Sequence, residues 1–181
     1  MLTIKISGRE IYNPATQTFA QSKDTVLSLE HSLVSISKWE SKWHKPFISK
    51  TDKTYEETID YVKCMTITQN VDPNIYACLT KENLKEINEY IANPMTATWF
   101  NESKNGGRRS SEQITSELVY YWMVALQIPW EAQKWHLNRL LTLVRICNIK
   151  NQPSKKHSMK ETMSRNAALN AARRKSLGTS G

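Results

Sequence analysis

Pro129 interrupts the longest apolar-periodic stretch of this chain, residues 110–150, and so limits what the chain can fold into. A proline has no amide hydrogen and pushes the residue before it out of helical geometry, so one straight helix cannot run through this stretch. Before it, Ile114, Leu118, Tyr121, Ala125 and Ile128 recur at spacings of four, three, four and three, which predicts a helix with one stripe against a core. Ser110 and Gln113 are placed as a capping box for its start. Beyond the proline, Leu137, Leu141 and Val144 form one line, with Leu140, Leu143 and Cys147 beside it. That wide apolar face predicts a buried helix running on from Trp130. Two helices around one proline make a helical hairpin or a sharply bent pair, with Leu118 and Leu141 expected deep in the core.

The remainder of the chain reads as smaller elements leaning on that pair. Leu2, Ile4 and Ile6 alternate with polar residues as a half-buried strand does, Ser7-Gly8 is a turn, and Asn13-Pro14 separates two further extended pieces. A hairpin of this size cannot stand alone. Leu29, Leu33, Ile36 and Trp43 repeat at helical spacing, with Glu40 in the one polar place, so residues 25–45 read as a helix ended by Pro46. Thr54 and Glu57 form a capping box for another, with Tyr55, Ile59, Val62 and Thr66 on its inner face. Thr80 caps a third, in which Leu84, Ile87 and Ile91 turn inward and Lys81, Glu82, Lys85, Glu86 and Glu89 stay in water until Asn93-Pro94. Asn105-Gly106-Gly107 marks an exposed loop, and its neighbouring Arg108-Arg109 fits no phosphate-binding pattern. Ser158 and Glu161 offer a last box for an alanine-rich cationic helix. The expected fold is mainly α (α+β): a β-hairpin region over 1–24, a helical body over 25–150 and a basic helical arm over 151–181.

Composition narrows the function. With 181 residues and 39% hydrophobic content the chain can bury one core, and it contains no apolar run long enough to span a bilayer. The charged start, MLTIKISGREIY, is unlike a secretory signal, so a cytoplasmic protein without membrane contact is expected. Cys64, Cys78 and Cys147 are odd in number and widely spaced, which fits reduced core residues; with four scattered histidines they make no metal-ligand pattern, so no cofactor is expected. From residue 150 onward eight cations face only Glu161, so seven of the eight excess positive charges lie in Lys150 and the arm that follows it. Such an arm could touch an acidic protein, RNA, DNA or nothing.

No nucleophile, paired carboxylate or metal cluster stands at a persuasive spacing, so the chain reads as a non-enzyme. His136 is the best general-base candidate, but no partner visible in the sequence fixes its tautomer, and Glu131 is five residues away on the wrong face. A nucleic-acid reading element of the helix-turn-helix, finger or RNP kind is absent, which leaves binding through the arm as the alternative function. Partner-binding candidates are aromatic and cationic. Trp39 and Trp43, one helical turn apart among lysines, are either a core edge or a binding strip, and Trp122, Trp130 and Trp135 cluster around the proline. Lys155, Lys156, Arg173, Arg174 and Lys175 supply the charge of the arm.

Running sequence adds a resemblance. LEHSLVSISKWESKWHKPFISK from Leu29, KTYEETIDYVKCMT from Lys53, ITSELVYYWMVALQIPWEAQKWHLNRLLTLVRICNIKNQP from Ile114 and the closing SRNAALNAARRKSLGTSG resemble the tail assembly chaperone family of long-tailed bacteriophages. The resemblance implies a protein of the infected bacterial cytoplasm that keeps the long helical tape measure protein soluble and helps recruit tail tube protein around it. It carries no residue-level motif, so the tryptophans and cations above remain the residues expected to touch a partner, or a second copy of the chain.

Overall fold

The computed structural model describes residues 1–13, 18–48, 52–100, 113–151 and 159–178. Within them lie four strands, six α-helices and two 3₁₀ turns, the mainly α class with a small sheet region that the sequence predicts. Strand β1 is Leu2–Ile6, β2 Glu10–Asn13, β3 Thr18–Gln21 and β4 Thr25–Leu29. β1 pairs antiparallel with β4, placing Ile4 opposite Leu27, and β2 pairs antiparallel with β3, so one hairpin is nested inside the other. Ile4, Ile6, Leu27 and Leu29 all point into the core.

Residues 25–29 are therefore a strand and not the first turns of a helix. TVLSL satisfies the two-residue period as well as the helical one, and its outer edge is taken by the segment beyond residue 65. Ile67 donates its amide to the Ser28 carbonyl at 2.8 Å, the Ser28 amide reaches Thr68 Oγ1 at 2.8 Å, and the Glu30 amide reaches the Met65 carbonyl at 2.9 Å. A paired strand satisfies every one of these groups, whereas a helix starting at Thr25 would leave them unmatched. At the turn after β1, a methyl on Gly8 would lie 1.9 Å from the Ser22 carbonyl oxygen. Gly8→Ala should force the nested hairpins apart and lower stability by about 1–3 kcal/mol, read as an earlier urea midpoint. An unchanged midpoint would show that the turn can open freely.

Helix α1, Leu33–Trp43, starts at Ser32, whose side chain and that of Ser35 cap each other's amides, and ends at His44 with φ of 52°, before the expected Pro46. α2, Tyr55–Met65, has the predicted Thr54/Glu57 box, but its inner face is Glu57, Asp60, Tyr61, Val62 and Met65, while Tyr55 is 63% exposed. A 3₁₀ turn over Pro73–Cys78 precedes α3, Lys81–Ala92, whose Thr80 cap, inward Ile87 and solvated charged face match the sequence reading.

After Pro94, α4 is Ser116–Ala125, a second 3₁₀ turn is Trp130–Lys134, and α5 is Leu137–Asn151. The expected Ser110 cap lies outside the described residues; Thr115 caps α4 through the Leu118 amide. The stripe of α4 is rotated from the expected one. Ser116, Val119 and Met123 face inward, Tyr121 and Ala125 face water, and Leu118 is half-buried. Leu141 is likewise half-buried, and Leu140 takes the deep position at 0% exposure. Nor does the helix run on from Trp130: the chain makes its 3₁₀ turn and a bridge between Ser32 and His136 before α5 begins.

The chain forms two compact units, Met1–Asn148 and Ile149–Gly181. The first holds the core, where Leu27, Leu33, Ile36, Trp39, Ile75, Val119 and Leu140 are sealed from solvent. In the second, α6 is Met159–Leu177, and its described side chains are exposed. Its proposed Ser158/Glu161 cap lies outside the residues whose side chains are described.

Candidate partner-binding surface

Two indoles tie α1 to α2. Trp39 and Trp43 stack at 6.2 Å and 30°, as residues one turn apart can. The Trp39 Nε1 donates to the Glu57 carbonyl at 2.9 Å, and the Trp43 Nε1 donates to Asp60 Oδ2 at 3.0 Å. Trp39 is 1% exposed and belongs to the core; Trp43 is half-buried and stands at the surface. Beside it α1, α2 and the first 3₁₀ turn enclose a cleft of about 510 Å³, walled by Trp43, Tyr55, Ile59, Pro73 and Tyr76.

Lys42, Glu56, Asp60 and Lys63 share the lining of the cleft with these aromatic and apolar residues. Lys42 pairs with Asp60 Oδ1 and lies 5.7 Å from the Trp43 ring, and Lys63 lies 5.7 Å from the Tyr76 ring. Burial opposes ionisation of Asp60, yet hydrogen bonds from Lys42 and Trp43 hold its carboxyl below the ordinary range. Glu57 is held low as well, by Lys45 and by the Thr54 amide of its own capping box, against the opposing effect of burial. The cleft thus combines apolar and aromatic walls with charged lining residues, of which Lys42 and Asp60 pair, an arrangement that takes a hydrophobic anchor side chain and orients the polar groups that flank it.

The remaining tryptophans do not continue this surface. Trp122 is half-buried on α4, while Trp130 and Trp135, 55% and 36% exposed, sit at the second 3₁₀ turn. Trp130 packs on Tyr120 at 5.7 Å, and the Arg139 guanidinium covers the Trp135 ring at 4.5 Å. Tyr121 and Val124 are also exposed there. Of the charged candidates, Arg173, Arg174 and Lys175 are exposed on α6, and Lys155 and Lys156 lie outside the described residues. Sequence spacing missed Tyr55, Ile59 and Tyr76 as cleft walls, because the contacts that gather them join elements far apart in the chain. It also missed Trp99, 93% exposed, whose only sequence signal is a large aromatic in a proline-preceded loop.

His136 has the partner that the sequence does not reveal. Its Nδ1 accepts the Asn138 amide at 3.3 Å, so Nε2 carries the proton and donates to the Tyr90 carbonyl at 3.0 Å. Its ring meets that of His31 edge-on at 5.0 Å, and His31 Nδ1 is 2.5 Å from the Tyr61 hydroxyl. Burial, reinforced by His136, pushes His31 down to about 3, and burial lowers His136 too. This neutral pair joins the end of β4 to the start of α5, where the Leu137 amide donates to the His31 carbonyl at 2.7 Å. Among the described residues no three His, Cys, Asp or Glu side chains are grouped to hold a metal ion, and no helix is long and apolar enough to cross a membrane. No family model, curated protein or solved structure matches the chain.

Proposed function

We propose that this protein is a phage tail assembly chaperone that binds the tape measure protein in the host cytoplasm, keeps it soluble and helps recruit tail tube subunits around it. The observation that carries this reading is the aromatic cleft between α1 and α2. A long amphipathic helix kept in solution must have its apolar stripe shielded, and helix-in-groove recognition does this through a few spaced anchors set into hydrophobic pockets. A cleft of about 510 Å³ takes few anchor side chains at a time, so each contact is weak and can be displaced by an incoming tube subunit. The resemblance of the running sequence to tail assembly chaperones supplies the identity of the client.

The test is co-expression. With the intact chain the tape measure protein should remain in the soluble fraction; alone, it should aggregate through its exposed apolar faces. Tyr55 is 63% exposed on the cleft wall, so Tyr55→Ser should leave the unfolding free energy within about 0.5 kcal/mol of the original while sending most of the client to the pellet. A folded Tyr55→Ser variant that solubilises the client fully would remove the cleft from the mechanism. A tape measure protein that is soluble by itself would remove the need for a chaperone.

A further inference from the structure

We infer that α6 docks in the major groove of duplex DNA, with Asn166, Asn170, Arg173 and Arg174 directed at base edges and phosphates.

At 3.6 residues per turn these four side chains fall within an arc of roughly 100°, spread over about 12 Å of helix axis. Asparagine and arginine are the residue types whose paired groups match adenine N6/N7 and guanine O6/N7 in the major groove. Outside this arc Ala167, Ala168, Ala171 and Ala172 present only methyl groups, with Leu169 and Lys175 the larger side chains among them, and a groove about 12 Å wide admits an α-helix. Arg165 lies to one side of the arc, where a long cationic side chain reaches a groove wall. All of these residues are exposed.

Charge points the same way. Lys160, Arg165, Arg173, Arg174 and Lys175 stand on α6 against Glu161, a complement to a polyanion. An apolar partner is disfavoured because the exposed apolar side chains make no unbroken stripe: Met159 and Met163, 84% and 68% exposed, lie at the start of the helix and Leu177, 74% exposed, at its end, while Asn166, Asn170, Arg173 and Arg174 occupy the same face between them and Leu169 lies to one side. An acidic polypeptide would be matched by cations alone, whereas Asn166 and Asn170, on the same face as Arg173 and Arg174, add the paired donor and acceptor that a base edge requires. A-form RNA is disfavoured because its major groove is too deep and narrow for side chains to read.

The experiment measures fluorescence anisotropy of a short labelled DNA duplex with the full-length chain between about 50 and 200 mM salt. Four to six phosphate contacts should weaken binding about 100- to 1,000-fold across that range. Arg173→Ala/Arg174→Ala should lower the salt slope by about two; alanine favours the helix, so circular dichroism should show the fold retained. Asn170→Ala should keep the slope and reduce discrimination among duplexes of different sequence by about tenfold or more. The inference is overturned by absence of binding at the low-salt end, by a double variant that binds as tightly as the original, or by equal binding to duplex RNA. Preference for polyglutamate over DNA of equal charge would overturn it too, in favour of an acidic protein partner.

Discussion

Replacement of Glu40 by alanine should lower the unfolding free energy of the first unit by roughly 3 to 5 kcal/mol, the largest loss expected from any single polar side chain here. Glu40 sits on α1, buried, with no lysine or arginine within ion-pair distance among the described residues. Its Oε1 accepts the Phe47 amide at 2.7 Å and its Oε2 accepts the Ser116 amide at 2.7 Å. The first contact fixes the chain as it leaves α1; the second serves an orphan amide at the start of α4, where a carboxylate also meets the positive end of the helix. Alanine removes both acceptors and leaves the buried Ser116 amide unmatched at a cost of about 1–3 kcal/mol and the part-buried Phe47 amide unmatched at a smaller one, besides opening a cavity. Glu40→Gln is the informative companion. Its single carbonyl oxygen can serve one amide, and its NH₂ then opposes the other, so it should recover less than half of the loss. Urea unfolding measures both, and hydrogen exchange at the first turn of α4 should quicken in each. A Glu40→Ala protein less than about 1 kcal/mol below the original would mean that water replaces the carboxylate without cost.

This carboxylate also accounts for part of what the sequence did not disclose. Spacing placed Glu40 as the one polar residue on an apolar face, which was visible, but not that it reaches residue 116. LVYYWMVA in α4 is apolar on nearly every side, so periodicity alone could not choose between the Leu118 and Tyr121 line and the Val119 and Met123 line. A tertiary hydrogen bond at Ser116 helps set the rotation that is observed. The same limit applies to TVLSL, whose partner strand lies at the opposite end of the nested hairpins. Caps, by contrast, are local, and the Thr54/Glu57 box and the Thr80 cap were legible because cap and helix lie within four residues; the Asn83 half of the second box was not. The candidate cleft was half legible: Trp43 is marked by its spacing from Trp39, while Tyr55 read as an inward residue and Tyr76 as part of no site. His31 carried no signal at all, since its meaning comes from a histidine more than a hundred residues away.

That histidine pair should make the fold acid-sensitive well above the range in which carboxylates titrate. His31 binds its proton near 6.5 when exposed and only at about 3 when folded, because burial and the neighbouring His136 both disfavour the cation. The sign follows directly: in acid the unfolded chain takes up a proton that the folded chain refuses, so stability is complete above pH 6.5 and falls as pH drops toward 3. The loss from His31 alone should be about 2 kcal/mol at pH 5 and about 3 kcal/mol at pH 4. His136, lowered chiefly by burial, adds in the same direction. The surrounding groups do not rescue the cation. Tyr61 from α2 is pushed up by burial and keeps its hydroxyl proton, and Glu30 is engaged by the Tyr90 hydroxyl at 2.6 Å and the Met1 amino group at 2.9 Å. The paired carboxylates of Glu57 and Asp60, both lowered, lose their contribution only at more acid pH, which separates the two effects. Urea midpoints measured at pH 7, 6 and 5 should therefore fall steadily. His31→Gln should flatten most of that fall while costing stability at pH 7 through the altered contact to Tyr61. Because the Leu137 amide hangs on the His31 carbonyl, hydrogen exchange at the start of α5 should accelerate first as pH falls. Midpoints that stay level from pH 7 to 5, or fall equally in His31→Gln, would show that the pair accepts protons without disturbing the fold.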